Sequence, residues 1–327
     1  MQLILGRHNL AQPTSTLRQA LCSGSVVTIG NFDGIHLGHQ AILEQVADLS
    51  KTAGLPSVVM VFEPLPNEFF APEKAPVRLM NLREKVRAFQ RTDIDYVLVI
   101  RFDAAFAAMR AQTFVQTLLS QQLKVRHLVV GDDFRFGAQR KGDFNFLTLQ
   151  GLALGFSVET MHTYQLQGRR VSSTRVRDAL AANDLAQARA LLGGGFAFHG
   201  RVIHGKKLGR QLGFRTLNLN PKRIRMPLNG VYAVYVHGLS SQPQAGVANI
   251  GVRPTVKGAR PSIEVHLLNW SQEVYGAHVR VEIVDFIRGE HTFDSLADLK
   301  TQIQSDVAQA HALFQGSASA STQSRPD

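Results

Sequence analysis

The sequence predicts an α/β domain built on a parallel sheet, followed by a small β-barrel with a terminal helix. Up to about residue 186, β-branched apolar runs alternate with stretches of helical periodicity. Beyond that residue, apolar runs follow one another without helices between them. The chain has 327 residues, which is too long for one small core. We therefore expect domains over residues 1–186 and 187–315, with residues 316–327 as a disordered tail.

Four short apolar runs in the first half are interpreted as strands, and the segments between them as helices. The predicted strands are 26–30, 57–62, 95–100 and 127–131. A helix is expected to begin near His36, because Ile42, Leu43, Val46 and Leu49 recur at helical spacing, and two more are expected over 81–89 and 114–122. This alternation is typical of a parallel sheet with helices on both faces.

The second half contains five strand-like runs and one amphipathic segment. The runs are FAFHGRVIHG, GVYAVYVHG, AGVANIG, SIEVHLLN and HVRVEIVDFI, which together predict a small closed barrel. Residues 294–314 predict a helix capped by Asp294 or Ser295, with an apolar stripe that we expect to pack on the barrel. The residues after it are mostly Gly, Ser, Ala, Thr and Gln, too poor in apolar groups to offset the entropy of ordering.

The charge balance favours anionic partners. Lys and Arg outnumber Asp and Glu by 36 to 25, for a formal net charge of +11. No carboxylate side chain occurs between Asp184 and Glu264, a span that holds twelve Lys or Arg. The single cysteine, Cys22, excludes an intrachain disulfide and fits a reducing compartment. Because no apolar stretch approaches the roughly 18 residues of a membrane span, we expect a cytoplasmic protein with no membrane partner.

A glycine-rich turn after the first predicted strand carries two histidines. In GNFDGIHLGH, Gly30 and Gly34 let the backbone approach a ligand closely, and His36 and His39 share one face where the helix begins. A helix N-terminus favours a nearby anion by about 0.3–1 kcal/mol. Ligands also bind at the carboxyl ends of parallel strands, so we expect a polyphosphate here. Two alternatives stay open: histidines that only cap a helix, and a metal site completed by Asp33.

The string TIGNFDGIHLGH (28–39) resembles the adenylyl-transfer motif of the bacterial bifunctional riboflavin kinase/FMN adenylyltransferase family, also called FAD synthetase. GDDFRFG (131–137) and VSSTRVRDAL (171–180) are similar to the second and third nucleotide-site motifs of that family. Taken alone, the aspartates of the second motif would cap a turn, and the hydroxyls of the third would cap a helix. The resemblance implies a Rossmann-like nucleotidyltransferase domain in which FMN attacks the α-phosphorus of ATP.

The resemblance also implies roles for individual residues of this domain. His36 and His39 would stabilise developing negative charge as the catalytic pair. The residues implied for ATP binding are Gly30, Asn31, Phe32, Ser173, Thr174 and Arg177, and Asp133 is implied for flavin binding. Mg²⁺ is implied as a cofactor that bridges phosphate oxygens, with ATP as co-substrate.

The segment 199–219 is rich in glycines and basic residues and is expected to be a loop between strands that can wrap phosphates. It resembles the signature of the riboflavin kinase domain. The residues implied for ATP binding are Gly205, Lys206, Gly209, Thr216 and Asn218, and the last two are also implied for the metal. The family usually has Pro-Thr-Ala-Asn where this chain has Arg215 to Asn218. Losing the proline predicts a less rigid loop before ATP binds.

A glutamate stands in the strand-like run SIEVHLLN. Ile263, Val265 and Leu267 alternate with Glu264 and His266, which places Glu264 on the face opposite the aliphatic residues. Read alone, Glu264 is a solvated strand residue. Similarity to the E-x-H-L stretch of the kinase domain implies that it is the general base that deprotonates the ribityl hydroxyl of riboflavin. The same resemblance places Asn249 and Arg253 on the flavin side, although packing or turn roles stay open for both.

Three functional hypotheses follow. The first is a bifunctional enzyme that makes FMN from riboflavin in the barrel and FAD from FMN in the α/β domain. Its partners would be riboflavin, FMN, FAD and ATP, with flavoprotein clients as candidates, no nucleic acid, and an oligomeric state that the sequence leaves open. The second is a nucleic-acid-binding protein that uses the basic span 201–225, which explains neither the histidine turn nor Glu264. The third is a single-activity enzyme whose other half is regulatory or structural.

Overall fold

The computed structural model of the protein describes residues 1–11, 16–161, 163–205, 213–255 and 258–322. The chain forms two compact units. The first contains Met1–Pro76 and Leu82–Ser173, and the second contains Val77–Asn81 and the chain from Thr174 onward. None of the described helices is long and apolar enough to cross a membrane.

A six-stranded parallel sheet forms the centre of the first unit. Its strands are β1 (Gln2–Leu5), β2 (Ser25–Ile29), β3 (Ser57–Glu63), β4 (Tyr96–Arg101), β5 (Val125–Val130) and β6 (Ser157–Thr160). The order is β1-β4-β3-β2-β5-β6, and each neighbouring pair is parallel. The predicted parallel sheet is therefore confirmed. The sequence analysis missed the edge strands β1 and β6, because each has only four residues and neither shows a long buried apolar run.

Helices connect these strands. They are α1 (His8–Ala11), α2 (Thr16–Ala20), α3 (Leu37–Ala53), α4 (Pro66–Phe70), α5 (Leu82–Phe89), α6 (Ala104–Ala107), α7 (Ala111–Thr113), a π-helical segment (Phe114–Gln122), a 3₁₀ turn (Ala138–Arg140) and α8 (Phe144–Leu154). A short hairpin, β7 (Gln165–Leu166) and β8 (Arg169–Arg170), follows. Crossovers between parallel strands are right-handed, so connections that run in opposite directions along the sheet place their helices on opposite faces.

The second unit contains a closed antiparallel barrel. Its strands are β9 (Ala197–Ile203), β10 (Thr216–Leu219), β11 (Gly230–His237), β12 (Gln244–Thr255), β13 (Gly258–Leu267) and β14 (His278–Arg288), closed in the order β10-β13-β12-β11-β14-β9. The barrel is confirmed, but the loop expected over 199–219 is wrong at both ends, because residues 199–203 belong to β9. Residues 216–219 form strand β10, a short strand whose alternating buried leucines were hidden in a glycine-rich basic segment.

Two helices precede the barrel, α9 (Ser173–Ala181) and α10 (Leu185–Leu192). The hydroxyl of Tyr232 on β11 donates to Oδ1 of Asn183 at 2.7 Å and lies 3.0 Å from the carbonyl of Asn229. Burial of this side chain raises the pKa of Tyr232 to about 12. The second compact unit contains α9 from Thr174 onward, α10 and the barrel. The domain boundary that the sequence predicts after residue 186 stays a prediction.

The terminal helix spans Leu296–Thr322 and packs its apolar side chains on the barrel, as expected. Its cap is Ser295, whose hydroxyl accepts the backbone N–H of Asp298 at 3.1 Å. The helix extends to Thr322, and the disordered tail expected from Gly316 stays a prediction. Residues 323–327 of the expected tail lie outside the described residues.

One ion pair joins this helix to β14. Nε and Nη2 of Arg288 donate to the two carboxylate oxygens of Asp306, each at 2.8 Å, and the Asp306 side chain is only 4% exposed. Removing one partner of a buried pair leaves the other charge without compensation.

We expect Asp306→Ala to lower the free energy of unfolding of the barrel unit by about 3–5 kcal/mol, measured by urea titration of Trp270 fluorescence. The control, Asp93→Ala, removes an exposed pair with Lys51 and should leave the midpoint unchanged. Equal midpoints for both variants would contradict the prediction.

Candidate active sites

The glycine turn lies at the switch point of the parallel sheet. Strand β2 pairs with β3 on one side and with β5 on the other. From β2 the chain continues to β3 and β4 on one side of β2, and the connection after β4 then crosses to β5 on its other side. The connections on the two sides of β2 therefore run in opposite directions along the sheet. Such neighbouring strands enclose a ligand-binding crevice at their carboxyl ends. Residues 30–36 follow β2 and residues 131–137 follow β5, so the first two motifs lie at the same edge of the sheet.

The backbone of the turn adopts left-handed conformations. Phe32 and Ile35 have φ angles of 47° and 42°, and Gly34 has a φ angle of 96°. Positive φ is uncommon for residues other than glycine and persists only where the surroundings impose it. The Phe32 ring provides part of that restraint, because it is buried and packs edge-on against Phe89 with ring centroids 5.6 Å apart.

Two side chains from distant segments hold the carbonyls of the turn. Nζ of Lys85, a buried residue of α5, donates to the carbonyl of Asn31 at 2.6 Å. The hydroxyl of Ser173 donates to the carbonyl of Asp33 at 2.8 Å. Ser173 belongs to the third motif, so the structure brings the first and third motifs into direct contact. Lys85 was not singled out by the sequence analysis.

The two histidines meet at the start of α3. His36 is the N-cap residue, and its Nδ1 accepts the backbone N–H of His39 at 3.3 Å. The rings are stacked, with centroids 3.7 Å apart and planes inclined by 15°, and His36 is only 5% exposed. A Cβ at Gly38 would lie 3.3 Å from the His36 ring, so glycine keeps this stack uncrowded. The predicted placement of both imidazoles at a helix N-terminus is confirmed.

The second motif is held by ion pairs. Asp132 and Asp133 are exposed and face Arg170 of β8 at 3.4 Å and 3.5 Å. Arg135 of the same motif donates to Asp143, the N-cap residue of α8, at 2.8 Å. The hydrogen bond from the Phe146 amide, together with Arg135, holds the pKa of Asp143 below its ordinary value.

The third motif is divided between the two units. Ser173 belongs to the first unit, while Thr174 and Arg177 belong to the second. Nε of Arg177 donates to the carbonyl of Val77, also in the second unit, at 2.6 Å. In the first unit the structure therefore brings Ser173 together with the turn that contains residues 30–36. Among the described residues, no group of three or more His, Cys, Asp or Glu side chains is arranged to hold a metal ion.

A cavity in the second unit is bounded by β10 and by the segment after β13. Its lining residues are Val202, Gly205, Arg215, Thr216, Leu217, Asn218, Leu267, Trp270, Gln272, Glu273, Val274 and Tyr275. Gly205, Thr216 and Asn218, which the sequence implied for ATP binding, thus lie together. Lys206 and Gly209 lie outside the described residues. The sequence analysis missed the wall formed by residues 270–275, for which the only available signals were the single tryptophan and the nearby tyrosine.

The barrel register aligns polar side chains across three strands. Asn218 of β10 pairs with Glu264 of β13, and Glu264 pairs in turn with Asn249 of β12. Directly paired residues share one face of a sheet, with Cβ atoms about 4.5–5.5 Å apart. The neighbours Ile263 and Val265 are fully buried on the other face, as the alternation predicted. Asn218, Glu264 and Asn249 therefore form a polar row, of which Asn218 lines the cavity. Arg253 is placed by its backbone alone, on β12 opposite Arg260.

Gly205 approaches Asn218 closely. A Cβ built on Gly205 would overlap the side-chain amide of Asn218, which is itself only 7% exposed. Glycine is therefore required at position 205 if the Asn218 amide keeps its place. This close approach is the physical reason for a glycine at this point of the motif.

The chain before β10 is anchored where the family usually has proline. Nη1 of Arg215 donates to the carbonyl of Ser271 at 2.9 Å, and the carbonyl of Arg215 accepts from Nδ1 of His266 at the same distance. The His266 ring also packs edge-on against Phe214, with centroids 5.3 Å apart. These contacts restrain residues 214–215 without a proline ring.

Comparisons with known proteins match both halves of the chain. The family profile for FAD synthetase matches residues 18–175, and that for riboflavin kinase matches residues 192–314. The bifunctional riboflavin kinase/FMN adenylyltransferase of Escherichia coli (strain K12) is 49% identical over 314 residues, covering 96% of this chain and 98% of that protein. The chain belongs to this bifunctional family. The Pseudomonas fluorescens member is 48% identical over 319 residues, covering 97% of this chain and 99% of that protein.

A solved structure extends the likeness to the fold. The crystal structure of a macrolide-efflux protein from Streptococcus pneumoniae is 28% identical, with a TM-score of 0.76. The match covers 95% of this chain and 99% of that chain. The bifunctional enzyme phosphorylates riboflavin with ATP and transfers an adenylyl group from ATP to FMN, so the first of the three functional hypotheses is confirmed.

The close approach of Gly205 to Asn218 gives a test of the kinase cavity. Gly205→Ala should displace the Asn218 amide, and misplacement by about 1 Å can lower a rate by about 100-fold. We expect kcat/KM for ATP in riboflavin phosphorylation to fall by about 10- to 100-fold, while conversion of supplied FMN to FAD is unchanged. Gly194→Ala is the matched control, because a Cβ there would meet nothing within 4 Å. Full kinase activity of Gly205→Ala would show that Asn218 does not serve the nucleotide.

Proposed function

We propose that Glu264 is the general base of the riboflavin kinase reaction. It takes the proton from the terminal ribityl hydroxyl, whose oxygen attacks the γ-phosphorus of ATP, and the bond to the β-phosphate breaks to release ADP. The observation that carries this proposal is the barrel register, which pairs Glu264 directly with Asn218, a residue that lines the cavity. A general base must reach the hydroxyl that attacks the γ-phosphorus, so a position next to a proposed nucleotide ligand supports this role.

Thr216 and Asn218 are the proposed ligands of Mg²⁺ in the kinase site. They are two residues apart on β10, so both side chains leave the same face of the strand. A hydroxyl and an amide oxygen are hard ligands of the type that Mg²⁺ accepts alongside phosphate oxygens. The absence of a side chain at Gly205 leaves room at the Asn218 amide, which supports the fit. When bound, the ion would neutralise charge on the phosphates of ATP. Lys206 and Gly209 stay proposed ATP ligands on their motif.

The glycine turn is the proposed centre of adenylyl transfer. A phosphate oxygen of FMN attacks the α-phosphorus of ATP, the bond to the β-phosphate breaks, and pyrophosphate leaves. An imidazole that accepts a hydrogen bond at Nδ1 carries its proton on Nε2. His36 would therefore offer an N–H donor to the oxygens on which charge develops, and His39 stacks beside it. The carbonyl anchors at Asn31 and Asp33 support a preorganised turn.

The remaining assignments follow the motifs. Gly30, Asn31 and Phe32 would present backbone to ATP, and Ser173, Thr174 and Arg177 would serve its outer phosphates. For the flavin, we propose Asp133 in adenylyl transfer and Asn249 with Arg253 in the kinase. Asn249 is supported by its register opposite Glu264.

The setting proposed for the enzyme is the cytoplasm, where flavoprotein clients would receive its products. The single cysteine, Cys22, supports a reducing compartment. A boundary between catalytic domains after residue 186 is supported by the kinase profile, which begins at residue 192.

Separate substitutions should separate the two reactions. Glu264→Gln should lower riboflavin phosphorylation by about 10²–10⁴-fold, because the proton acceptor is lost, and should spare conversion of supplied FMN to FAD. His36→Ala should slow FAD formation and spare FMN formation. Flavins are separated by chromatography over time, and His127→Ala serves as a control for loss of a histidine elsewhere in the first unit. If either variant, folded by circular dichroism, lost both reactions, the assignment of two sites would be wrong.

The anchor at Arg215 should affect nucleotide binding in the kinase. Arg215→Ala removes a charge-assisted hydrogen bond to the Ser271 carbonyl, so we expect the KM for ATP in riboflavin phosphorylation to rise roughly tenfold. Arg215→Pro restores a fixed φ angle and should raise this KM less than the alanine variant does. The KM for ATP in FMN adenylylation is the internal control. Equal defects in the two variants would show that the arginine acts on the nucleotide rather than through loop restraint.

A further inference from the structure

The β7–β8 hairpin holds Arg170 in a defined position. Its two strands are antiparallel, and the residues between them, Gln167 and Gly168, have φ angles of 55° and 71°. Two successive left-handed residues form a tight turn that matches the twist of a hairpin. The amide of Val171 donates to the carbonyl of Tyr164 at 2.9 Å, so the pairing continues beyond the strands. The main chain on both sides of Arg170 is therefore restrained.

The chain that follows Arg170 runs along the start of α3. A Cβ at Gly38 would lie 3.5 Å from the carbonyl of Val171 and 3.3 Å from the His36 ring. Two residues further on, the hydroxyl of Ser173 donates to the glycine turn. Consecutive Cα atoms are about 3.8 Å apart, so the main chain of Arg170 lies close to the N-terminus of α3. All of these residues belong to the first unit.

The guanidinium of Arg170 lies at the carboxyl end of β5. Its Nη1 is 3.4 Å from Oδ1 of Asp132, and its Nη2 is 3.5 Å from Oδ2 of Asp133. Both aspartates belong to the second motif, which follows β5 directly. Strand β5 is the neighbour of β2, so this cation lies at the edge of the sheet where the switch-point crevice opens.

The two ion pairs of Arg170 are weak. Charge-assisted hydrogen bonds from nitrogen to a carboxylate are about 2.7–2.9 Å long, and both distances here are greater. The side chains of Arg170, Asp132 and Asp133 are 46%, 57% and 72% exposed, and exposed ion pairs contribute little free energy. A phosphate can therefore take the guanidinium from the aspartates at little cost. The planar fork of a guanidinium also fits two oxygens of a phosphate.

We propose that Arg170 binds a phosphate group in FMN adenylylation, exchanging its contacts with Asp132 and Asp133 for phosphate oxygens. This inference rests on the proposed placement of adenylyl transfer at the glycine turn. A cation is needed at this edge, because two carboxylates would otherwise repel an approaching phosphate. Arg169 does not fill the role, since successive side chains of a strand point to opposite faces. Arg170 thus both shields the aspartates and supplies a ligand to the phosphate.

A merely structural role for Arg170 makes a different prediction. If Arg170 only ties the hairpin to the second motif, removing either side of the ion pair has the same effect. If Arg170 binds a phosphate, Asp132 competes with the substrate for it, and removing the Asp132 charge makes the guanidinium easier to recruit. The two roles therefore differ in the effect expected of Asp132→Asn.

The test measures the KM for FMN and the KM for ATP in adenylylation by the full chain, each with the other substrate saturating. Arg170→Ala should raise at least one KM by about 10- to 100-fold, and the affected substrate carries the phosphate that is bound. Arg170→Lys should raise it less, because an ammonium keeps the charge without the fork. Asp132→Asn should leave the same KM unchanged or lower it by up to about fivefold. Arg169→Ala is the matched control and should change neither KM.

The outcomes separate this inference from the site assignment beneath it. Unchanged KM values in Arg170→Ala, or an equal rise of KM in Asp132→Asn, would overturn the phosphate role. Riboflavin phosphorylation in the same samples should stay within about twofold, and a parallel loss of both reactions would also overturn it. His36→Ala tests the site itself. Full FAD formation by that variant would show that adenylyl transfer does not take place at the glycine turn, whatever the effect of Arg170→Ala.

Discussion

The antiparallel register of β10, β13 and β12 is the constraint on which the kinase chemistry depends. A slip of one residue would turn every side chain of a strand to the opposite face. Asn218 and Glu264 would then enter the barrel interior, and the aliphatic residues beside them would face water. Each buried Leu, Ile or Val contributes about 1.5–3 kcal/mol, whereas a whole domain is stable by about 5–15 kcal/mol. Leu217, Ile263 and Val265 therefore fix the polar row of Asn218, Glu264 and Asn249 from the face opposite to it.

In the first unit, the equivalent constraint acts on the backbone of the glycine turn. Left-handed conformations at Phe32 and Ile35 are unfavourable by themselves, and the turn keeps them because separate segments hold it. Lys85 lies on α5 and Ser173 at the start of α9, far from the turn in sequence. A preorganised turn can stabilise developing charge without first having to rearrange, and this is the largest effect available to a reaction without a protein nucleophile.

Patterns within one segment of the sequence predicted the buried strands, whereas the neighbours of a residue across the sheet depend on how the strands pair. The runs that became β2 to β5 are apolar on both faces, so they could be identified without knowing their neighbours. The outward direction of Glu264 followed from alternation in one strand. Its neighbours Asn218 and Asn249 could not be derived from spacing, because cross-strand pairs depend on register. Strand β10 was missed because four residues are too few to show a period.

The positive charge of the chain has a structural use that composition could not indicate. An excess of Lys and Arg predicted anionic ligands, yet Lys85, Arg177, Arg215 and Arg223 each donate to a backbone carbonyl. A carbonyl acceptor carries no sequence signature, because every residue has one. Such bonds restrain the backbone and remove rotamer freedom from the cation. In this fold, a large part of the positive charge therefore positions the backbone around the turns and strands that carry the motifs.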